Sequence, residues 1–255
     1  METLPLAASR KRGLIVEGFV MCVSILLAFF LEGWREDRAL HQELVQELES
    51  VQRELESNRT LAAAEVEALE RVASAGVVLL DELRAAAQHD FVAVQDTLVT
   101  LAVQWRISYG PSLGAVEALI SSGRLAQVES PELRSGLAGL RGRIVDVVED
   151  EVAANHLSLD RIVPLLVERM DMGYEPGGNA TTAFLAAALS SGLSPQEYVS
   201  RSSLEPFQRV DFPTDRTIRN YVATRIGMLS GGQAEFRSLV AHLDDLIALV
   251  REELD

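Results

Sequence analysis

The chain has 255 residues and a formal net charge of -15, from 23 basic and 38 acidic side chains. Hydrophobic residues make up 48% of it, which excludes a disordered chain because a core can be buried. Aromatic residues are only 5%, and Ala, Leu, Val, Glu and Arg dominate, so the composition predicts an all-α fold. The acidic balance argues against nucleic acid as a partner, since phosphate contacts need clustered Lys and Arg.

The chain contains a single cysteine, Cys22, and a single lysine, Lys11. One cysteine cannot form an internal disulfide, and no Cys or His stands at metal-ligand spacing from it. A phosphate loop of the form G-x-x-x-x-G-K-[ST] would need Lys11, whose neighbours Arg12 and Gly13 do not fit it. We therefore expect no metal, no cofactor and no catalytic residues.

Residues 13–31 form a continuous apolar run in which Glu17 is the single charged residue. As a helix with a rise of ~1.5 Å per residue, the run is about 28 Å long, close to the ~30 Å hydrocarbon core of a bilayer. Its Leu, Ile, Val and Phe side chains favour insertion by more than Glu17 opposes it. The sequence predicts a tail over residues 1–12 and an uncleaved transmembrane anchor over residues 13–34.

Two other interpretations of this run are a buried core helix and a cleaved signal peptide. A signal peptide is disfavoured because Glu32, Gly33 and Trp34 follow the run instead of a small-residue cleavage site. The basic residues before the run favour a cytoplasmic N terminus. In a bacterium this places the protein in the inner membrane, with the rest of the chain in the periplasm. The expected membrane-interface residues are Arg10, Lys11, Arg12, Trp34 and Arg35.

Glu17 is a carboxylate inside the predicted span, and such a group is a functional candidate by default. Together with Met21, Ser24 and Ala28 it forms one stripe at helical spacings of four and three. Small residues let membrane helices approach closely, and polar residues bond across the contact. Two interpretations stay open: self-association into a homo-oligomer through this stripe, and a glutamate that reaches out to the lipid headgroups.

Beyond Trp34 an apolar pattern continues at helical spacing through Leu44, Leu48, Val51 and Leu55. It predicts a coiled-coil-like stalk over residues 35–87, at the start of a helical extramembrane domain over residues 35–255. The seam of this stalk could also be covered by the C-terminal part of the same chain. Asn58 falls at a core position, where asparagine more often sets register than binds a ligand.

Shorter elements are expected between the stalk and a long C-terminal helix. Ser130 and Pro131 have the residue types of a helix N-terminus, and Pro164 should kink or divide the helix that they open. The other expected elements are a turn over 88–95, a helix over 96–106, a short helix over 115–122 that ends at Gly123, a loop over 173–178 and an Ala-rich helix over 181–190.

The C-terminal helix is expected from Thr214 to about residue 254, with Ile218, Val222, Leu229 and Phe236 on its apolar side. Its length resembles that of the stalk. We therefore expect the two long helices to pack antiparallel.

Two short motifs look like catalytic or nucleotide-binding sites. Residues 229–233 read L-S-G-G-Q, the signature of ATP-binding-cassette ATPases, which holds phosphate at a helix start. No phosphate loop accompanies it, so Gly231 and Gly232 are interpreted as a break in the C-terminal helix. Residues 110–114 fit the G-x-S-x-G pattern of α/β-hydrolases, but a helical chain lacks the parallel sheet that this pattern needs, so Ser112 is assigned to a helix start.

Two stretches carry a family likeness. The anchor contains the early Glu17, an Ile-Leu-Leu-Ala run that ends at Ala28, and Trp34 followed by Arg and Glu. Residues 119–125 read L-I-S-S-G-R-L, with Gly123 and Leu125, and residues 131–134 read P-E-L-R. These stretches resemble a family of uncharacterised bacterial single-span membrane proteins, although here a glycine follows Glu17 instead of preceding it. The resemblance implies a membrane location and a helical fold, and no activity.

The sequence therefore favours a membrane-anchored helical scaffold, adaptor or sensor that binds another protein, with membrane lipid as its second partner. This interpretation rests on the lack of any complete catalytic or cofactor motif, so we expect a protein that is not an enzyme. An alternative is a periplasmic sensory domain that binds a small ligand between its helices. A hydrolase is a remote alternative.

Overall fold

The structure is a computed structural model that describes residues 7–106, 108–170 and 209–255, without the side chains at 7–20, 22–24, 28 and 37. It is mostly helical, as predicted. In chain order its elements are α1 (Ala7–Ala85), β1 (Phe91–Gln95), α2 (Asp96–Val99), a π-helical turn (Thr100–Gln104), α3 (Gly114–Ser121), a 3-10 turn (Arg124–Gln127), α4 (Pro131–Leu157), a second π-helical turn (Ser158–Ile162), α5 (Val163–Arg169), β2 (Arg209–Pro213) and α6 (Arg216–Leu254).

The three long helices α1, α4 and α6 form a bundle in which α6 runs opposite to the other two. Arg251, near the end of α6, bonds Glu56 of α1 at 2.7 Å, whereas Gln233, nearer its start, bonds Glu70 at 3.2 Å. From Glu56 to Glu70 along α1, the bonded residues of α6 therefore run backward, from Arg251 to Gln233. The predicted antiparallel packing of the two longest helices is therefore confirmed.

The core lies where the three long helices meet. The seam that predicted a stalk, Leu44, Leu48, Val51 and Leu55, is buried in this core. It packs inside the chain's own bundle, so this part of α1 is not a free stalk. The described side chains between Glu32 and Glu43 are exposed, apart from the half-buried Gly33. These residues belong to the part of α1 that extends beyond the bundle.

Burying a charge in this core should destabilise the bundle strongly. Leu48 is 1% exposed and Leu243 is 0% exposed. We expect Leu48→Asp and Leu243→Asp each to lower the free energy of unfolding by more than about 3 kcal/mol, because a buried carboxylate has no partner there. Thermal melting followed by circular dichroism measures the change. Leu61→Asp is the control, since Leu61 is 44% exposed on the same helix as Leu48. Equal melting of the Leu48→Asp and Leu61→Asp proteins would contradict the packing.

Two short strands pair antiparallel where α1 ends, with Phe91 opposite Pro213 and Val94 opposite Val210. Residues 91–95, which were expected to belong to a turn over 88–95, form a strand, so the prediction is wrong there. The helix expected over 96–106 ends at Gln104. Val94 and Phe212 are buried. The strand pair thus covers this end of the core, and its partners are too distant in the sequence for a local pattern to reveal the pairing.

The C-terminal helix is continuous through Gly231 and Gly232, so the expected break there is wrong. A Cβ atom on Gly231 would lie 3.2 Å from Oδ2 of Asp150, on α4. Gly232 is buried beside the same aspartate. The two glycines therefore allow a close approach of α6 to α4 and do not end the helix.

The helix opened by Ser130 begins as predicted. The Ser130 hydroxyl accepts a hydrogen bond from the backbone N–H of Leu133 at 3.1 Å, and Pro131 is the first helical residue. The helix ends at Leu157. A π-helical turn then leads into α5, which has Pro164 near its start. The backbone remains helical at both ends of this turn, so the interruption that was expected at Pro164 is a π-helical turn just before the proline and not a break in the helix.

No helix in the described part of the chain is both long enough and apolar enough to cross a membrane. Much of the predicted span lies outside the described side chains, at residues 13–20, 22–24 and 28. The loop expected over 173–178 and the helix expected over 181–190 also lie outside the described residues.

Two glycines of α4 provide a matched test of how closely α6 approaches. A Cβ atom on Gly136 would overlap the side chain of Leu246, whereas a Cβ atom on Gly139 would meet nothing within 4 Å. We expect Gly139→Ala to raise the free energy of unfolding by about 0.5–1 kcal/mol, through helix propensity alone. Gly136→Ala should lower it by about 1 kcal/mol, since the overlap outweighs that gain. Denaturant unfolding distinguishes the two, and equal stabilisation by both substitutions would show that the helices lie further apart.

Candidate functional site

Between the first π-helical turn and α3, residues 105–106 and 108–113 have no regular structure, and we call the stretch 105–113 the 105–113 segment. Ile107 lies outside the described residues, and Tyr109 is buried. The backbone N–H and C=O groups of such a stretch have no helical partners and must be bonded in another way when they are shielded from water. Side chains of α1, α4 and α6 supply these bonds.

Arg225 of α6 bonds the start of the segment. Its side chain is 1% exposed, and its guanidinium donates to the carbonyl oxygens of Ala102 at 3.1 Å, Ala154 at 2.7 Å and Trp105 at 2.6 Å. Ala102 and Trp105 stand at the C-terminal end of the first π-helical turn, where carbonyl groups lack partners and the helix dipole is negative. Burial lowers the pKa of Arg225 to about 10, so the group stays charged at neutral pH.

Arg225 forms no ion pair with any carboxylate among the described residues. Its positive charge is compensated by three charge-assisted hydrogen bonds to backbone oxygens instead. A buried charge held in this way ties α6 to α4 and to the segment at one point.

Two side chains of α1 hold the far end of the segment. The Asn58 amide donates to the carbonyl oxygen of Ser112 at 2.6 Å and accepts from the N–H of the same residue at 3.0 Å. Glu54, one turn earlier, accepts from the backbone N–H groups of Ala115 at 3.0 Å and Val116 at 3.1 Å, and from the Ser112 hydroxyl at 2.9 Å. Glu54 thereby caps the N-terminus of α3 from another helix.

The middle of the segment lies between two carboxylates. The backbone N–H of Tyr109 donates to Glu151 of α4 at 3.3 Å, and its hydroxyl donates to the carbonyl oxygen of Asn58 of α1 at 3.4 Å. The backbone N–H of the preceding Ser108 lowers the pKa of Glu65 of α1. The Tyr109 ring packs edge-on against Phe236 of α6, with ring centroids 5.1 Å apart. Tyr109 thus contacts residues of both α4 and α6.

Burial is the main cause that raises the pKa of Glu65, to about 7, and the negative charge of Glu151 adds to it, while the Ser108 N–H opposes it. Burial also raises the pKa of Glu151, against the effect of the Tyr109 N–H. Burial, followed by the charge of Glu65, raises the pKa of Tyr109 to about 12. One oxygen of Glu65, Oε1, is shielded from solvent and has no hydrogen-bond partner among the described residues.

The site thus contains two partly buried carboxyl groups, Glu65 and Glu151, and burial raises the pKa of each. Two depressions of the surface lie away from these carboxyl groups: one along residues 31–39 of α1, and a groove of about 340 Å³ between α3 and α4, lined by Leu113, Val116 and Leu137 among others. Among the described residues no three His, Cys, Asp or Glu side chains are placed to hold a metal ion.

Removing the buried guanidinium should be costly. We expect Arg225→Met to lower the free energy of unfolding by about 3–5 kcal/mol, because the carbonyl groups of Ala102 and Trp105 lose their donor inside the protein. Arg237→Met on the same helix is the control and should cost less than about 1 kcal/mol, since Arg237 is exposed and lies 3.7 Å from Glu70. Urea unfolding measures both. A value for Arg225→Met within the range of the control would show that water replaces the guanidinium.

Glu65 should make stability depend on pH. Its pKa in the folded protein, about 7, is above the ordinary value of 4.5, so the folded state binds this proton more tightly than the unfolded chain does. The contribution is full below about pH 4.5 and is lost as the pH rises through about 7. We expect Glu65→Gln to be more stable than the natural protein at about pH 8, by roughly 1–2 kcal/mol, and equal to it at about pH 4.5.

The control for this prediction is Glu67→Gln, because Glu67 is exposed on the same helix and its pairing with Arg71 is a surface contact of 3.6 Å. Its unfolding free energy should follow that of the natural protein at both pH values. If Glu65→Gln retained the full pH dependence between these values, another group would be responsible.

The structure places the predicted membrane-interface residues in α1, outside the bundle. Trp34 is exposed, and the guanidinium of Arg38 lies 5.4 Å from the centre of its ring. Arg35 is also exposed, as is Met21. The side chains of Arg10, Lys11, Arg12, Glu17, Ser24 and Ala28 lie outside the described residues.

The family-like stretch around Gly123 lies at the end of the bundle where Leu44 enters it. Gly123 has a φ of 77°, a left-handed conformation that ends α3. Arg124 then bonds two glutamates of α1, Glu43 at 2.8 Å and Glu47 at 2.6 Å. Leu125 is half-buried against the core. The stretch therefore ties the end of α3 to the point at which α1 leaves the bundle.

The two catalytic-looking motifs lack the geometry of the sites they resemble. Residues 229–233 lie in the interior of α6, where backbone N–H groups are used within the helix, and Gln233 bonds Glu70 of α1. Ser112 lies two residues before α3, and its hydroxyl donates to Glu54. Neither residue stands at the helix start or strand end that its motif requires.

Sequence reasoning missed the polar cluster, although the patterns contained a signal for part of it. Arg225 occupies a position of the apolar stripe of α6, between Val222 and Leu229, and Glu151 follows Val147 in the same way on α4. A charged residue at a core position of a helical stripe indicates a buried polar contact. Their common partner, the 105–113 segment, had no such signal.

Comparison of the chain with models of known protein families, with curated proteins and with solved structures found no match.

Proposed function

We propose that this protein is a membrane-anchored helical interaction protein, a scaffold, adaptor or sensor whose bundle projects from the bilayer on α1. The observation that supports it most is the exposed apolar surface of α1 beyond the bundle. The exposed fractions there range from 48% for Leu31 to 70% for Phe30. Because successive helical residues are about 100° apart, the six side chains from 25 to 27 and from 29 to 31 spread over about 240° of the helix circumference, which suits lipid better than a protein contact on one side.

The distance between anchor and bundle follows from the same helix. Leu31 is the last residue of the apolar run, and Leu44 is the first core residue of α1. With a rise of ~1.5 Å per residue, about 20 Å of helix separates the two. Trp34, with Arg38 over its ring, lies at the start of this stretch, where amphipathic rings favour the interface.

Orientation and self-association are further parts of the proposal, and they rest on the sequence. Arg10, Lys11 and Arg12 favour a cytoplasmic N terminus and a periplasmic bundle in a bacterial inner membrane. The stripe of Glu17, Ser24 and Ala28 favours contact between two spans. The likeness of the anchor to single-span bacterial proteins supports the same arrangement.

A protein partner is favoured over a small ligand because the described grooves are shallow and open, whereas ligand sites enclose most of the ligand surface.

Cell fractionation tests the anchor. The full chain should stay in the membrane fraction after an alkaline wash, and a variant with Ile25→Gln, Leu26→Gln and Phe29→Gln should move to the soluble fraction, because each substitution removes apolar surface from the span. The control carries Gln at Leu61, Val77 and Val78, which are exposed on the part of α1 within the bundle. Recovery of the full chain in the soluble fraction would overturn the proposal.

Orientation and partner are tested separately. A reporter that is active only in the periplasm should work after Asp255 and fail before Met1, and the reverse result would overturn the orientation. The full chain, purified from detergent extract, should retain a protein that a chain of residues 1–43 alone does not retain. Identical proteins on both chains would contradict a role of the bundle in partner binding.

A further inference from the structure

We infer that the outer edge of β1 is an association site, at which a second copy of this chain adds its own β1 antiparallel and joins the two-stranded sheets of both bundles. The inference goes beyond the proposed function, because it concerns a contact between bundles and does not depend on the anchor.

The pairing of β1 with β2 determines which backbone groups of β1 face away from β2. The backbone N–H of Thr214 donates to the carbonyl oxygen of Asp90 at 3.1 Å, directly before the first pair of the ladder. In an antiparallel pair, positions that bond the neighbouring strand alternate with positions that do not. The N–H and C=O groups of Phe91, Ala93 and Gln95 therefore face outward.

These outward positions are accessible. Phe91 is 48% exposed, and Ala93 and Gln95 are exposed as well. Among the described residues, the backbone N–H groups of these three residues have no acceptor. A strand edge with unpaired backbone groups can be completed by a further strand.

The two strands differ in how their outward positions are protected. β2 has Arg209, Asp211 and Pro213 there, opposite the outward positions of β1. Charged side chains and proline prevent strand edges from pairing with other chains. β1 contains neither, and its valine and phenylalanine residues favour strand pairing. The edge that favours association is therefore that of β1.

The sequence of β1 suits a second copy of itself. It reads F-V-A-V-Q, so Val92 and Val94 stand symmetrically about Ala93. In an antiparallel pair centred on Ala93, this residue exchanges both backbone hydrogen bonds with its counterpart, and Phe91 does so with Gln95 of the other copy. Alanine at the two-fold axis lets the two strands approach without a clash of side chains. Such a contact uses the same surface on both copies and closes with two of them.

One like-charge pair accompanies this register, because Asp90 of one copy stands opposite Asp96 of the other. Asp96 begins α2, and its carboxylate accepts a hydrogen bond from the backbone N–H of Thr97 at 2.6 Å. This carboxylate is therefore engaged by its own helix. The remaining repulsion weakens the contact, so Asp90→Asn should strengthen the association.

Cysteine crosslinking of the full chain tests the register, in a Cys22→Ser background that removes the single natural thiol. Ala93→Cys places two thiols opposite each other at the axis, so oxidation with copper phenanthroline should link two copies. Phe91→Cys and Gln95→Cys each place their thiols about 13 Å from the counterpart, so either variant alone should link about tenfold less. A mixture of these two variants should link again, because their thiols then stand opposite each other.

Sedimentation of the full chain over a range of concentrations measures the same association without a crosslink. Ala93→Pro should weaken it about tenfold or more, because it removes an outward N–H from each copy and no bond between β1 and β2. Ala93→Lys should weaken it about fivefold, because two like charges meet at the axis. Since the lysine variant keeps every backbone group, it tests the contact even if the proline variant does not fold.

The matched control is Asp211→Lys, because Asp211 is exposed and stands opposite Ala93 on β2. It should associate like the natural protein. A full chain that stays monomeric at all concentrations would overturn the inference, and so would equal crosslinking at the three positions of β1, which indicates random collision. A dimer that persists unchanged in both Ala93 variants is held by another surface, the span included, and would overturn it as well. None of these substitutions alters the apolar run over residues 13–31 other than Cys22→Ser, so the result is independent of the fractionation test.

Discussion

A chain that leaves regular structure inside a helical bundle exposes backbone N–H and C=O groups that the bundle must bond. In this protein the backbone groups that need such bonds are those of the 105–113 segment. Polar side chains on the inner faces of the long helices supply the bonds. Arg225, Glu151, Asn58 and Glu54 each bond backbone groups at or beside the segment. Three of these side chains, those of Arg225, Glu151 and Asn58, are buried, and the irregular backbone beside them gives each a hydrogen-bond partner there.

The helices themselves could be predicted from the sequence, because apolar residues at spacings of three and four determine which face is buried, and local signals fix the ends. The local signals are found at helix ends: Ser130 with Pro131 at the start of α4, Gly123 after α3, and Pro164 at the start of α5. Because the effect of each signal depends only on neighbouring residues, these helix ends can be predicted from the sequence.

What could not be predicted depends on contacts between distant parts of the chain. The pairing of β1 with β2 joins segments on opposite sides of α4, and five-residue strands are too short for a clear alternation. Gly231 and Gly232 indicate a break by local propensity, yet the contact with Asp150 of α4 places them in a continuous helix. The carboxyl pair at Glu65 and Glu151 belongs to two helices, so its proximity, and the raised pKa of Glu65 that results, appear only in the folded protein.

The continuity of α1 has a mechanical consequence. One helix without an interruption runs from Ala7 to Ala85, and its second half supplies one wall of the core. Successive residues of one helix are fixed ~1.5 Å apart along its axis and about 100° apart around it. The direction in which each side chain of the first half of α1 faces is therefore set by the way in which its second half, at Asn58 and Leu55, is buried in the core.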